Sequence, residues 1–198
     1  MNTDVIKAAK EAFSIEADAL LHAVTHIPDE IFFQAVHMLA DVERIASSGC
    51  GHSGIACQHF SHLMCCIELP SRFISPAEAL HGAMGFVQKG DVMVFGSRGG
   101  KTSELLPILD ICHRKEVKVI TVTENLSSPL ALGADVVIPM MITQEVDKYN
   151  MQGTTSFTVL SVIFDALQAA LIEYTNYQPE SFAIVHPGGA VGERLNKK

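Results

Sequence analysis

The sequence predicts an α/β fold: a doubly wound, three-layer sandwich with a five-stranded parallel sheet and two leading helices. Three observations support this prediction. Short, continuous apolar runs alternate along the chain with longer helical patterns, as in a parallel sheet that is covered on both faces. Two Gly/Ser-rich loops directly follow such runs. The chain has 198 residues and is 48% apolar, which suits about one domain with its own core.

Two helices are expected first, over about residues 1–40, before an α/β core and a C-terminal tail at about 41–198. Apolar residues recur at three- and four-residue spacing from the start of the chain to about residue 25, which indicates an amphipathic helix. Asp29 is placed to cap the second helix, which has an apolar face of its own.

The core is expected to alternate between strand and helix. The predicted strands are 44–48, 72–74, 91–96, 118–123 and 135–139. The predicted helices are about 55–66, 76–80, one from the loop at 97–104 to about 113, and 154–174. Ligands of such sheets bind beyond the carboxyl ends of the strands, and both Gly/Ser-rich loops are expected there.

Composition excludes several classes of function. Asp and Glu number 22 against 14 Lys and Arg, a net charge of −8, whereas a nucleic-acid binder needs clustered positive charge. No apolar run approaches the roughly 18 residues of a membrane helix, and the N-terminus lacks the basic start and apolar centre of a signal peptide. Five cysteines without a CxxC pair are typical of reduced thiols. The sequence therefore predicts a cytoplasmic protein with neither nucleic-acid nor membrane partners.

The first Gly/Ser-rich loop, residues 49–54 (GCGHSG), has groups suited to an anion. Gly51 lets the backbone approach a ligand closely, Ser53 offers a hydroxyl, and the helix that follows offers N–H groups at its start. The letters match GxGxxG, but no acid ends the next strand, where the ribose of a dinucleotide needs one. A simple strand-to-helix turn is the alternative, so this loop alone is a weak signal.

The second loop, residues 97–104 (SRGGKTSE), is richer in groups that bind phosphate. Ser97, Thr102 and Ser103 are neutral donors, and Arg98 with the nearby lysine adds positive charge to an acidic protein. With the glycine before it, the loop also resembles a Walker A motif. Its position in the middle of the domain, and the lack of an obvious Walker B aspartate, argue against a nucleotide triphosphatase. We therefore expect a phosphate site that needs no metal.

Titratable residues near these loops are candidates for acid–base chemistry, and each has a plainer alternative. Glu104 ends the second loop, where a carboxylate also complements a helix dipole. Glu145 follows the last predicted strand, where a solvated loop acid is the alternative. His81 and His186 adjoin glycine- or proline-rich turns, in which a histidine more often has a structural hydrogen bond.

A metal site is conceivable on the third predicted helix. His59, His62 and the adjacent Cys65 and Cys66 recur there at three-residue spacing, and Zn²⁺ accepts both residue types. Ligands spread over two turns drift around a helix instead of converging on one point. Helix packing with buried cysteine is the preferred interpretation, and the sequence predicts neither a metal nor a cofactor.

Five segments, taken in order, resemble the sugar isomerase (SIS) domain, and more closely its arabinose-5-phosphate isomerase branch. They are GCGHSG (49–54), SPAEALHGAMG (75–85), SRGGKTSE (97–104), GTTSFT (153–158) and HPGGAVGERL (186–195). The similarity extends from Ala8 to Leu195. It implies a single SIS domain over 1–198 with the flavodoxin-like fold. It also implies an enzyme that interconverts a phosphorylated aldose and ketose without metal or organic cofactor.

The resemblance also implies which residues hold the phosphate of a small sugar. Ser53, Ser97 and Thr102 fall on phosphate-binding positions of the family. Their neighbours in the two loops complete the expected phosphate site: Gly51, Arg98 and Ser103.

Four residues fall on positions that the family uses in catalysis: Glu104, Glu145, His81 and His186. Glu145 is expected to remove the carbon proton on the way to an enediolate, as a carboxylate whose pKa is raised by burial. Glu104 would serve the hydroxyl protons, and His186 would help to open the cyclic sugar.

Two departures separate this chain from the motifs of the branch. His52 stands where a lysine is usual, and it is a catalytic candidate that is mostly neutral unless its surroundings protonate it. In the second loop Gly99 lacks a hydroxyl and Lys101 replaces a glutamate, so Arg98 and Lys101 are expected to supply the missing positive charge. Two alternatives to an arabinose 5-phosphate/ribulose 5-phosphate isomerase therefore stay open: an isomerase of the 3-hexulose-6-phosphate type, and a phosphosugar sensor without turnover.

The resemblance also implies an assembly. SIS domains usually form dimers or tetramers with sites at subunit boundaries, so a homodimer or homotetramer is expected. A pair of regulatory CBS modules often follows the tail in the family, whereas this chain ends at Lys198. We therefore expect a catalytic domain that stands alone.

Overall fold

A parallel five-stranded sheet forms the centre of the computed structural model, which describes residues 3–196. The strands are β1 (Ile45–Ser48), β2 (Ser71–Phe73), β3 (Val92–Gly96), β4 (Lys118–Thr123) and β5 (Val136–Pro139). The helices are α1 (Thr3–His26), α2 (Asp29–Ala40), α3 (Gly51–Cys66), α4 (Pro76–Ala79), α5 (Leu106–Arg114), α6 (Pro129–Leu132), α7 (Thr155–Thr175), α8 (Pro179–Val185) and α9 (Gly189–Leu195). The predicted α/β fold, its five-stranded parallel sheet and its two leading helices are confirmed.

The strands lie in the order β2-β1-β3-β4-β5. The chain winds in one direction from β1 to β2 and in the other direction through β3, β4 and β5, so the winding reverses between β1 and β3. Ser48 at the end of β1 pairs in register with Phe95 of β3. The loops that follow these two strands therefore begin side by side, at the place where doubly wound sheets bind their ligands.

Apolar side chains cover both faces of the sheet, which is why the strands read as continuous apolar runs. On one face Val94 of β3 belongs to a core with α1, α2, α3 and α7, in which the rings of Phe60 and Phe164 lie 4.7 Å apart between centroids. On the other face its neighbours Met93 and Phe95 pack with residues of α5 and α6. Successive side chains of a strand point to opposite faces, so β3 contributes to both cores.

Several helix boundaries differ from the expectation. α3 begins at Gly51 and not near residue 55, because Gly51 takes a positive φ of 55° directly after the extended Cys50. α5 begins only at Leu106, since the second loop continues as turns up to that point. Asp29 is the first residue of α2 and not its cap; the capping position is Pro28 and has no side-chain hydrogen bond.

α7 corrects the expectation that no apolar run is long enough to cross a membrane. Its 21 residues meet that criterion by length and composition. The expectation was wrong because Ser161, Asp165 and Gln168 interrupt the run but leave its average strongly apolar. In the fold, 44% of its most apolar window is buried, and α7 packs against α1, α2 and α3.

Candidate active site

The two Gly/Ser-rich loops meet at the carboxyl ends of β1 and β3. Gly49 makes this close approach possible, because a Cβ there would lie 3.0 Å from the Gly96 carbonyl oxygen and 2.9 Å from that of Ser53. Gly51 and Ser53 lie in the first turn of α3, where Ser53 is half-buried. The backbone thus brings the first loop against the end of the neighbouring strand, as the sequence predicted.

Residues 97–102, which we call the cradle loop, form a tight turn that holds two hydroxyls together. The oxygens of Ser97 and Thr102 lie 3.0 Å apart, and the Gly100 N–H donates to Ser97 Oγ at 3.2 Å. Gly100 has a φ of +63°, and a Cβ at this position would overlap Ser128. Glycine is therefore required here on two grounds: backbone conformation and space.

Arg98 extends from the cradle loop to two carboxylates. Its Nε donates to Glu124 Oε2 at 2.7 Å, and its Nη1 donates to Glu145 Oε1 at 2.8 Å. We call these three residues the carboxylate clamp. The clamp joins the segments that follow β3, β4 and β5, and the Arg98 charge in it is opposed by two negative charges.

The side chain of Glu145 is only 2% exposed, and its carboxylate is bonded to the residues at the start of α7. Its Oε2 accepts hydrogen bonds from the Thr154 N–H at 2.9 Å, the Thr154 hydroxyl at 3.2 Å and the Ser156 N–H at 3.1 Å. Burial alone would raise the pKa of this carboxyl, but the donors of Ser156 and Thr154 and the charge of Arg98 hold it below its ordinary value. The expectation of a raised pKa was therefore wrong, because a helix start and a guanidinium stabilise the charged form.

Glu104 contrasts with Glu145, because its side chain is exposed and lies two residues before α5. The Ser103 hydroxyl donates to its Oε2 at 2.8 Å and lowers the pKa of the carboxyl. Glu104 also acts on the first loop: burial and the nearby Glu104 charge raise the pKa of the Cys50 thiol. Because the Glu104 side chain is exposed and the Glu145 side chain is buried, a ligand can reach the carboxylate of Glu104 more easily.

His52 and Lys101 are the two departures from the family motif, and both side chains are exposed. The His52 ring packs edge-on against Phe157 of α7, with 6.2 Å between centroids, and lies beside Gly153. Within residues 3–196, Lys101 has no ion pair to a carboxylate. Lys101 is thus an uncommitted cation of the cradle loop, whereas Arg98 is held by the clamp.

His81 and His186 are not joined to these loops by any hydrogen bond, ion pair or ring contact in the described part of the chain. His81 is exposed, one residue before the left-handed Gly82. His186 ends α8 and packs on Phe182 with 5.0 Å between ring centroids, and its Nδ1 is buried without a hydrogen-bond partner. Within residues 3–196, the side-chain bonds of the candidate site therefore connect Arg98 with Glu124 and Glu145 and include neither histidine.

Sequence reasoning missed Glu124, Thr154 and Ser156. Glu124 directly follows β4, so its position at the carboxyl edge of the predicted sheet was a usable signal. Thr154 and Ser156 sit at the predicted start of α7, where N–H groups lack helical partners and attract a carboxylate.

The residues considered as metal ligands take part in ordinary packing. His59 Nε2 lies 2.8 Å from Asp165 of α7, and the Cys65 thiol donates to the Ser71 carbonyl. Over residues 3–196, no group of three or more His, Cys, Asp or Glu side chains is arranged to hold a metal ion.

The fold and these loops define a class: an α/β domain with paired, hydroxyl-bearing glycine loops at the switch point of a 2-1-3-4-5 sheet. The chain belongs to the SIS domain family, which matches residues 38–170. It is 36% identical over 194 residues to the arabinose 5-phosphate isomerase KdsD of Pseudomonas aeruginosa. That alignment covers 98% of this chain but only 60% of the longer relative.

Two solved structures are similar over nearly the whole chain. One is from Listeria monocytogenes and carries the provisional name sugar-phosphate isomerase; it has a TM-score of 0.92 and 34% identity and covers 95% of this chain and 100% of its own. The other is an Escherichia coli CFT073 protein in complex with arabinose 5-phosphate, with a TM-score of 0.87 and 28% identity over 94% of this chain and 100% of its own. The SIS resemblance is thereby confirmed.

Proposed function

We propose that this chain is a phosphosugar aldose–ketose isomerase of the arabinose 5-phosphate/ribulose 5-phosphate type. One observation carries the proposal: the hydroxyls of Ser97 and Thr102, 3.0 Å apart, lie in a loop that is directly linked to the buried carboxylate of Glu145. A phosphate site and an acid–base group thus share one edge of the sheet. The name of the Pseudomonas relative and the sugar phosphate bound to the Escherichia coli protein support the same substrate class.

The phosphate would be held by neutral donors and one free cation. Ser97 and Thr102 supply hydroxyls, Ser53 adds another from the neighbouring loop, and Lys101 supplies positive charge. Hydroxyl and N–H donors at such a turn suit a phosphate oxyanion without a metal. Binding the phosphate fixes the reacting carbons relative to the carboxylates, so remote binding energy contributes to catalysis.

The reaction would move a proton between C1 and C2 through an enediolate. Glu145 is the proposed carbon base: at neutral pH it is ionised, and its orientation is fixed by the donors of Thr154 and Ser156. Glu104, whose carboxylate is accessible, would exchange protons with the sugar hydroxyls. Neither step requires a metal ion or an organic cofactor.

We further propose that the site is completed by a second subunit of a cytoplasmic homodimer or homotetramer. Large apolar side chains are exposed on α1 and α8; Phe13 is 81% exposed and Ile184 is 78% exposed. The tail helices pack mainly on each other. A partner subunit would cover these surfaces and bring His186 and His81 to the cradle loop.

A phosphosugar sensor without turnover is the second candidate, and the carboxylate clamp favours it. Both oxygens of Glu145 have partners in this structure, and its lowered pKa makes it a weak base. A site in this state binds phosphate but has no free base for the carbon proton.

Proton exchange separates the two candidates. The protein would be incubated in D₂O with a panel of aldose and ketose phosphates and followed by NMR. The proposal predicts interconversion and deuterium incorporation at C1 or C2 for arabinose 5-phosphate and ribulose 5-phosphate. Glu173→Gln, on the exposed C-terminal turn of α7, should match the wild type. Tight binding without exchange for any sugar would place the protein in the sensor class.

A further inference from the structure

The Arg98 side chain extends from the cradle loop to the buried carboxylate of Glu145. Its backbone is fixed, because the Arg98 carbonyl accepts hydrogen bonds from the Thr123 hydroxyl at 2.9 Å and from the Glu124 N–H at 3.0 Å. Its side chain, by contrast, is 36% exposed, while that of Glu145 is 2% exposed. The guanidinium therefore covers Glu145 while it remains open to solvent and to any ligand of its own loop.

The two oxygens of Glu145 are held unequally. Oε2 accepts three hydrogen bonds from Thr154 and Ser156, whereas the described partner of Oε1 is Arg98. A substrate carbon that approaches Oε1 displaces one described hydrogen bond, whereas an approach to Oε2 would displace three. For the approach to Oε1, Arg98 is the group that must move, and the start of α7 can stay in place.

A bound phosphate offers Arg98 a competing partner. A phosphate monoester carries a charge of about −2 near neutral pH, against −1 for a carboxylate, and guanidinium binds it in a bidentate manner. The described hydrogen bonds of Arg98 use Nε and Nη1, so further N–H groups of its five are available to a ligand. The bond from Nε to Glu124 provides a pivot about which the guanidinium can swing.

We propose that Arg98 is a positioning residue that transfers from Glu145 to the phosphate of the bound substrate, so that phosphate binding uncovers the carboxylate. The last step, use of that carboxylate on a carbon proton, rests on the proposed function. The transfer itself does not. It links binding to reactivity: the base is covered in the free protein and is exposed once a phosphate occupies the cradle loop.

The transfer of Arg98 should change the pKa of Glu145 in a defined direction. Arg98 and, through it, Glu124 face Glu145 from the loops after β3 and β4; Asp147 and Lys148 lie on its own segment, and His52 lies beside that segment at Gly153. Loss of the Arg98 contact raises the pKa of Glu145. The charge of a bound phosphate also raises it through space, so the two effects must be separated.

The experiment follows the Glu145 carboxyl by NMR in protein labelled with ¹³C-glutamate, with and without saturating inorganic phosphate. In the wild type, phosphate should raise the pKa of Glu145 more than it does in Arg98→Gln, in which only the phosphate charge acts. Without phosphate, Arg98→Gln should start from a higher pKa than the wild type. Glu124→Gln is the matched control, because removing a negative charge should shift the pKa of Glu145 downward.

Phosphate affinity provides a second readout. Arg98→Gln should weaken binding of inorganic phosphate about tenfold, the loss expected for a charged hydrogen bond. Arg98→Lys keeps the charge but not the planar fork, and it should give a phosphate-induced rise that is smaller than in the wild type. Equal rises in wild type and Arg98→Gln, or unchanged phosphate affinity, would overturn the proposal. Since no turnover is measured, the outcome is independent of whether the protein proves to be an isomerase.

Discussion

The candidate acid–base residues fall in two regions: Glu145 lies at the carboxyl edge of the sheet, and His186 lies in the C-terminal tail. Bonds within one chain connect the first region more extensively than the second. At the sheet edge, Arg98 and Glu145 connect three separate segments through bonds of 2.7–2.8 Å. In the tail, His186 contacts Phe182 of its own short helix, and Ile184 beside it is 78% exposed. The difference shows that bonds within one chain hold Arg98 and Glu145 together, whereas the only described ring contact of His186 is to its own tail helix.

The largest effect on activity is expected from a change at the carboxyl edge of the sheet. Glu145→Gln keeps the shape of the side chain but removes the carboxylate proposed to accept the carbon proton. We expect isomerisation to fall roughly 10²–10⁴-fold, the usual contribution of a general base, while phosphate binding persists. Steady-state kinetics and calorimetry with inorganic phosphate measure the two separately. Undiminished deuterium exchange in this variant would remove Glu145 from the mechanism.

The second prediction tests whether the tail acts on a neighbouring subunit. Glu145→Gln and His186→Ala should each be nearly inactive alone. In a dimer, mixed subunits would contain one intact site, so equal mixing should restore about a quarter of wild-type activity if each site takes His186 from the partner. The control is a mixture in which both chains carry Glu145→Gln. Mixtures that stay inactive despite subunit exchange would show that each site draws both residues from one chain.

A smaller effect is expected in the cradle loop. Ser97→Ala removes a hydroxyl that lies 3.0 Å from Thr102 and accepts the Gly100 N–H. Sugar-phosphate binding should weaken by about 1–3 kcal/mol, the cost of leaving a charged group short of one partner. Calorimetry checks this, with Ser127→Ala on the exposed loop before α6 as the control. Unchanged affinity would exclude this loop as the phosphate site.

The ionisation of Glu145 should also make the free energy of unfolding depend on pH. Because the pKa of Glu145 is lowered in the folded state, its charged form stabilises the fold above the unfolded pKa. That contribution is lost as the pH falls through the folded value. The difference in unfolding free energy between wild type and Glu145→Gln should therefore shrink in acid. Denaturant melts across this range test it, and a difference that widens in acid would contradict the assigned sign.

The smallest effect on activity is expected from a change at Cys65 on α3, outside the sheet edge and the C-terminal tail. Cys65 donates a weak hydrogen bond to the Ser71 carbonyl at 3.3 Å, which serine can replace. Cys65→Ser should leave activity and metal content unchanged within error. Loss of stoichiometric zinc together with activity would revive the metal interpretation of this helix.

The sequence predicted the sheet, the order of its elements and the placement of both loops, because apolar periodicity and glycine position are local signals. It could not predict the partners of Glu145. Its burial suggested a raised pKa, but the pKa is lowered by the donors of Ser156 and Thr154 at the start of α7 and by the charge of Arg98, 47 residues away. The site geometry therefore depends on long-range contacts that no local pattern encodes.

α7 has a consequence for how the chain is made. By length and composition alone, it is apolar enough to cross a membrane. Its packing partners α1, α2 and α3 all precede it in the chain, so they have already been synthesised when it emerges. The apolar side chains of α7 therefore have their packing partners available as soon as the helix emerges.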